Sequence, residues 1–575
     1  MGDQLSDQHE ASAPHPPKAA GGTLGRAGAV GARVFERLRW AVAWVVLLAE
    51  MVRVRMAPPG VLAGSVDPDR APANDWRFLR RPALIGFLAL VAIGVGASLD
   101  SSPFKLEMPG TWFFGEPAQP GATSTSFLLF GLVAVYGGLV LLARVWYGLT
   151  RALARRPGVP VKHLWWIFGL WLLPVLVIAP IFSRDVFSYA AQGEMVSRHI
   201  NPYDYGPYTL GAGPYVNPVD PLWLNAPAPY GPLFLIIDGF FASASFHHML
   251  VTVVLLRLLA VAGVVLIGVS IPSLAHSFGK DPGPIFLLTV LNPLVLLTLI
   301  GSAHNDAIML GLLVAGVAVA RNRHPVLGIV LCALATAIKA PAGLGVLYLG
   351  WEWLGPGVPW RQRVRPVLTA GIISLAVLAL CSVVSGLGWG WVANLETPGT
   401  VRSWLAPTTA LGLGTSGLLH ALGWQVSASG VLSVARVLGF AAAGALGVYL
   451  LRASDRIGGL KALAITLLLF VVLGPIVQQW YLTWGLVLLA PVAEGRWRSL
   501  VIAVSVLGPF LGLPGGRTLV DQLLHSDPIS VALGLLGLLG VLLVPLGRWS
   551  ASWRWGPPRV EEADSWGSPP RAAAY

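Results

Sequence analysis

The stretches LIGFLALVAIGVGASL (residues 84–99) and VLSVARVLGFAAAGALGVYLL (residues 431–451) decide the fold. Each approaches the ~20 apolar residues that an α-helix needs to cross a hydrocarbon core of ~30 Å. Such runs recur. The chain has 575 residues, of which 55% are hydrophobic and only 11% charged, and its mean hydropathy is +0.69. A soluble domain carries about a quarter charged residues. Short alternating strands, the mark of a membrane barrel, do not appear. The pattern reads as an all-α polytopic membrane protein with about 12–14 transmembrane helices.

The formal net charge is +12, and basic residues gather in short connections: RALARRPGVPVK (151–162), RNRH (321–324), RQRVR (361–365) and GRWR (495–498). Such loops mark the cytoplasmic side. No nucleic-acid-binding module accompanies them, so the excess charge does not point to nucleic acid. Cys332 and Cys381 stand in apolar surroundings and read as packing residues rather than a disulfide or metal site. Residues 1–32 read as disordered, with no cleavable signal peptide. Residues 33–79 read as an interfacial or cytoplasmic helix (34–56) followed by a linker, and 548–575 as a basic cytoplasmic tail. Asp67-Pro68-Asp69 mimics a DxD metal motif but falls in that linker.

With Arg80 and Arg81 inside, 82–99 runs outward, 126–145 returns, and 163–182 runs outward, which puts Asp185 outside. Residues 231–246 are expected to lie along the outer surface, because a span there would put the next basic loop on the wrong side. Then 249–274 crosses inward, 284–301 outward and 305–320 inward. Between two inner basic loops, Lys339-Ala340-Pro341 interrupts the apolar sequence. Proline breaks helices, and irregular backbone at membrane depth needs protein or a cavity around it, so two half-length helices should meet there. The remaining expected crossings are 366–385, 428–451, 459–476, 481–493, 499–513 and 529–547.

Two outer regions, 183–248 and 386–427, are too long to be simple connectors. The first holds six of the 12 tyrosines (Tyr189, Tyr203, Tyr205, Tyr208, Tyr215 and Tyr230), with Trp223, several Asn and a run of Pro. Tyr and Trp present apolar faces with polar edges, as sugars do; an interfacial aromatic belt is the alternative. IFSRDVFSYAAQGEM (181–195) suits a short helix on the membrane surface, with Ser183 as N-cap and Phe187, Ala190, Ala191 and Met195 toward lipid. Asp185, just past a span end, can act as a general base toward a hydroxyl; otherwise it is a first-turn acid paired with Arg184.

Three polar clusters interrupt apolar sequence: GSAHNDAIML (301–310) and LGPIVQQWYLTW (473–484) at outer span ends, and TAIKAPAGL (336–344) at the proposed break. Ionisable groups there are costly and usually functional. ETPGTVRSWLAPTT (396–409) adds Arg402, either a lipid-phosphate ligand or an interfacial anchor.

These residues, in this order, resemble the GT-C class of membrane glycosyltransferases. More closely, SRDVFSYAAQGEM, NPYDYGP (201–207), APAPYGPL (226–233), LNPLVLL (291–297), GSAHNDAIML, AIKAP and QQWYLTW are similar to the actinobacterial polyprenol-phosphomannose-dependent α-1,6-mannosyltransferases of A and B type, the B type nearer. The resemblance covers roughly 80–547. It implies a GT-C-like fold with membrane-surface helices in the first outer loop, in a multi-pass plasma-membrane protein with its active site on the outer face. It also implies mannosyl transfer from polyprenyl-phosphate-mannose to the 6-hydroxyl of a lipid-linked mannan acceptor, with inversion. Asp185 matches the family's catalytic acid. The other expected roles follow from that reaction. Arg402 and Lys339 would hold the donor phosphate. His304 and Asp306 would orient the mannose or phosphate, and Trp480 and Tyr481 would line the donor side. Arg184, Tyr189, Tyr203, Tyr230 and Gln479 would meet the acceptor or sugar. No metal or cofactor is expected among these residues, and divalent-metal dependence stays open. A secondary transporter or flippase, another polyprenyl-phosphate-sugar transferase, and a non-catalytic scaffold are the rival readings.

Overall fold

The computed structural model describes residues 77–99 and 125–512, Arg402 and Trp404 excepted. The expectations for residues 1–56, Asp67-Pro68-Asp69, the crossing at 529–547 and the tail 548–575 lie outside them. Among the described residues every regular element is helical.

Helices α1 (Arg77–Ser98) and α2 (Thr125–Arg155) pack along each other, and α3 (Val161–Val177) lies against α1. Trp171 Nε1 of α3 donates to the Ala83 carbonyl at 2.8 Å. The indole crosses α1 at Gly86, where a Cβ would meet the ring at 2.2 Å, so glycine there permits the contact. Two short helices follow, α4 (Asp185–Ser197) and α5 (Pro232–Ala244), of 13 residues each. At 1.5 Å per residue each is about 20 Å long, short of a ~30 Å core. α4 packs on α5. Its expected lipid-facing residues are buried in the protein instead: Phe187, Ala190, Ala191 and Met195 are all buried. The surrounding helices and loop, rather than lipid, cover the apolar face of α4.

α6 (Met249–His276) is a long apolar helix. α7 (Pro282–Thr289) leads through Asn292-Pro293 into a π-turn, Val295–Gly301, and the chain then bends by 117° into α8 (Asp306–Arg321). Proline and the π-turn break the outward leg expected at 284–301 into two pieces. α6 and α8 approach backbone to backbone: a Cβ on Gly263 would lie 2.3 Å from Ala307, a small-residue contact suited to helices in lipid. α9 (Pro325–Thr336) and α10 (Gly343–Glu352), of 12 and 10 residues, are the two half-length helices expected around Lys339. Then come α11 (Trp360–Ser385), α12 (Pro407–Ala421), α13 (Ala428–Arg452), α14 (Gly459–Val472), α15 (Leu482–Leu489) and α16 (Gly495–Leu507). α12 folds part of the second long loop onto α13.

Five described helices are long and apolar enough to cross a membrane, or six counting the bent pair, and four more are shorter and apolar. The chain is thus an all-α polytopic membrane protein. The connections carrying basic residues are tied to each other at one end. Asp281 accepts from Gly158 N (2.7 Å), Lys280 pairs with Glu494, and Arg321 donates to Ser277 (2.8 Å). Cys332 and Cys381 are free and buried.

Candidate active site

Two irregular turns at the other end of these helices meet. The first joins α3 to α4. Pro180 cannot continue α3, and the chain runs extended to Phe182, whose φ is +64°. The N-cap of α4 is Arg184 rather than the expected Ser183, which lies one residue earlier because the turn at Phe182 shifts the helix start; Ser183 Oγ still accepts from Asp185 N at 3.2 Å. The second turn joins the π-turn to α8, with Ala303 at φ +54°. Ser302 Oγ donates to the Ile181 carbonyl at 2.5 Å and ties the turns together.

This places His304 Nε2 3.6 Å from Asp185 Oδ2. His304 Nδ1 lies 2.5 Å from the Thr298 carbonyl, which can only accept, so Nδ1 carries its proton. Nε2 is 3.1 Å from Ser183 Oγ, so in the neutral ring it accepts from that hydroxyl. Trp480 stacks on the imidazole with ring centroids 4.0 Å apart. Asp185 keeps 18% of its side chain exposed while His304 is fully buried. Of the pair, the carboxylate is therefore the group an incoming molecule can reach. Arg184 does not pair with it: Arg184 Nε donates to the Pro218 carbonyl at 2.9 Å and holds the first long loop.

Lys339 sits at the break between α9 and α10 in extended backbone (φ −151°, ψ 125°). The carbonyls just before it, Ala337 and Ile338, accept from Leu233 N and Gly231 N at 3.0 Å, so the break is pinned to the loop carrying Tyr230. Lys339 Nζ lies 2.8 and 3.0 Å from the two Asp306 oxygens and 3.4 Å from Asn305 Oδ1. Trp484 Nε1 donates to Asp306 Oδ1 at 2.6 Å. The rings of Tyr481, Tyr230 and Trp484 lie 4.9, 5.7 and 5.7 Å from the ammonium. An ammonium has three N–H groups, and here all three have acceptors. Lys339 therefore reaches a phosphate only by giving up one of these bonds.

Tyr189 packs edge-on against Tyr230 and Phe234, at 5.2 and 5.1 Å between centroids. Burial, then the neighbouring carboxylate of Asp185, pushes the Tyr230 phenol well above its ordinary value. Burial does the same at Tyr189. Tyr203 is buried in a separate apolar cluster with Trp391 and Leu378. Its hydroxyl donates to the Tyr230 carbonyl at 3.0 Å, so it supports the site from behind. Gln479 is buried against Gly512. Arg402 lies outside the described residues; the backbone beside it is held by Arg436, which donates to the carbonyls of Gly399 and Val401, the latter at 2.7 Å.

Three buried polar atoms here have no protein partner: Trp480 Nε1, Asn305 Nδ2 and Gln479 Oε1. Leaving such an atom unsatisfied costs about 1–3 kcal/mol. Sequence reasoning placed Asn305 beside His304 and Asp306 in one polar cluster and Trp484 at the end of another, but assigned neither a role. Nothing local gives the role of Trp484, which comes from facing α8 across the fold. Among the described residues no three His, Cys, Asp or Glu side chains converge as a metal site would require.

Comparison with known proteins identifies the family. Residues 83–355 match the model described as alpha-(1->6)-mannopyranosyltransferase, N-terminal domain, and residues 408–544 match the MptB C-terminal domain. The chain is 34% identical over 436 residues to alpha-(1->6)-mannopyranosyltransferase A of Mycobacterium tuberculosis, covering 72% of this chain and 81% of that protein. It is 32% identical over 517 residues to a probable alpha-(1->6)-mannopyranosyltransferase of Mycolicibacterium smegmatis (81% and 89%). It is 30% identical over 518 residues to alpha-(1->6)-mannopyranosyltransferase B of Corynebacterium glutamicum (85% and 84%). Asp185, His304, Lys339 and Trp480 all lie within these matched stretches, and the chain belongs to the alpha-(1->6)-mannopyranosyltransferase family.

Proposed function

We propose that this membrane mannosyltransferase moves mannose from polyprenyl-phosphate-mannose to the 6-hydroxyl of a lipid-linked mannan acceptor, at the outer face of the plasma membrane. The observation that carries the reading is the partly exposed Asp185 carboxylate beside buried His304, at the end of the helices away from the basic connections. Family membership supplies the mannosyl group. The basic loops, tied together at the opposite end, support an outward-facing site by the positive-inside rule.

The chemistry follows from these positions. Asp185 takes the proton of the acceptor hydroxyl as its oxygen attacks the anomeric carbon. The bond to the donor phosphate breaks, the electron pair leaves with the phosphate, and the configuration inverts in one displacement. No second carboxylate is needed as acid, because a phosphate leaves without protonation. His304, held by Thr298 and Ser183, walls the buried side of Asp185. Trp480 and Tyr481 give the sugar an apolar platform, and Trp480 Nε1 and Asn305 Nδ2 supply free donors. Arg402 meets the leaving phosphate. Lys339 keeps Asp306 and Asn305 in place and shares its charge with the phosphate as the bond breaks.

The test uses the purified full chain in detergent with polyprenyl-phosphate-mannose and a short mannan acceptor. Wild type should form an α-1,6-linked product without a sealed compartment, and Asp185→Asn should bind donor with turnover lowered about 10²–10⁴-fold. A transporter would form no product. Product from an arabinosyl donor alone would reassign the substrate, and normal turnover by Asp185→Asn would remove the base.

A further inference from the structure

Arg257 lies in the first third of α6, in an otherwise apolar span, and its side chain is almost fully buried at 1% exposure. A charge at that depth is costly unless it is hydrogen-bonded. Arg257 Nη1 donates to the carbonyls of Leu176 (3.1 Å) and Ile178, and Nη2 donates to the carbonyl of Gly301 at 2.9 Å. The first two carbonyls are at the C-terminal end of α3, and the third closes the π-turn. Helix C-termini leave carbonyls without intrahelical partners and carry partial negative charge, so a guanidinium fork suits both ends at once. A lysine has one nitrogen and cannot span the two ends in the same way.

Those two ends begin the two site turns. From Ile178 the chain reaches Asp185 in seven residues, through Phe182 at φ +64°; from Gly301 it reaches His304 in three, through Ala303 at φ +54°. Non-glycine residues in the left-handed region persist only where the surroundings over-determine them. Ser302 Oγ to Ile181 O is the second tie between the turns. We infer that Arg257 is a positioning residue that clamps the ends of α3 and the π-turn and so sets the separation of Asp185 and His304. It does not touch the reacting groups. The functional half of this inference rests on the proposed mannosyl transfer; the structural half does not.

The experiment compares Arg257→Met and Arg257→Lys with wild type in the full chain. Amide hydrogen exchange over 178–185 and 301–306 is read beside donor KM, kcat and thermal melting. A misplacement of ~1 Å at a reacting group costs about 100-fold. Arg257→Met should therefore lower kcat by about 100-fold with donor KM changed by no more than about threefold, and exchange should rise in the two turns alone. Arg257→Lys should fall between it and wild type. Unchanged turn exchange overturns the clamp. So does exchange that rises along the whole chain, with donor binding and melting temperature falling together, because that is a fold-wide role. Should Arg257→Met not fold, Ser302→Ala, which removes the second tie, is read in the same way and by the same criteria. If wild type fails to transfer mannose, the exchange result still decides the clamp, and the proposed reaction fails separately.

Discussion

Replacing Lys339 with methionine distinguishes an ion-pair partner from a phosphate ligand. Asp306 is fully buried, and its carboxylate takes two bonds from Lys339 and one from Trp484. At 2.8 Å, Coulomb attraction is about 6 kcal/mol for an effective dielectric of ~20, before desolvation is subtracted. Removing one member of a buried pair leaves the other charge uncompensated and costs about 3–5 kcal/mol. Lys339→Met should therefore lose stability on that order, since only the Trp484 N–H remains on the carboxylate. Lys339→Met/Asp306→Asn, which removes both charges, should recover at least half of the loss. The assay is equilibrium unfolding in detergent for wild type, both single variants and the double variant, with donor KM measured alongside. A coupling below about 1 kcal/mol in that cycle would refute the ion-pair reasoning. A Lys339→Met protein as stable as wild type, with donor KM raised more than about tenfold, would instead make Lys339 chiefly a phosphate ligand.

Other outcomes are expected from the same geometry. Asp185→Asn should lose about 10²–10⁴ in kcat, the usual worth of general-base help, with donor binding retained; loss of donor binding instead would make Asp185 a binding residue. Trp480→Phe keeps a ring on His304 but removes the unpartnered indole N–H, so kcat/KM should drop about tenfold without a change in melting. Arg436→Met frees the backbone at Gly399 and Val401 and should raise donor KM if Arg402 meets the phosphate; an unchanged donor titration counts against that role. Burial holds the Tyr189 and Tyr230 phenols above their ordinary value, so both stay protonated up to at least pH ~10. The pH–rate profile of Tyr189→Phe should then keep the wild-type shape below that pH, and a lost alkaline limb would contradict it.

Much of the architecture was legible in one dimension. Hydropathy located the long helices, and Pro341 beside Lys339 located the break between α9 and α10. The loop charges around 231–246 argued against a span there, and α5 has only 13 residues. Asp185, His304, Lys339 and Trp480 stood out because polar groups beside apolar runs are expensive, and that cost can be read locally. The same reasoning misjudged α4. Its composition suits a lipid-facing helix, yet protein covers the face, and composition does not say which apolar partner a face meets.

The sequence by itself determined most of the helical segments, the break at Lys339-Ala340-Pro341 and the polar residues there, because these depend on neighbours along the chain; the break after α7 came only with the fold. Tertiary structure alone decided who pairs with whom. Asp306 takes Lys339 and Trp484, His304 comes to Asp185, Arg184 turns away to Pro218, and Arg257 joins two helix ends. These are through-space contacts between residues tens to hundreds of positions apart. Their energies come from distance and burial, which no linear pattern encodes.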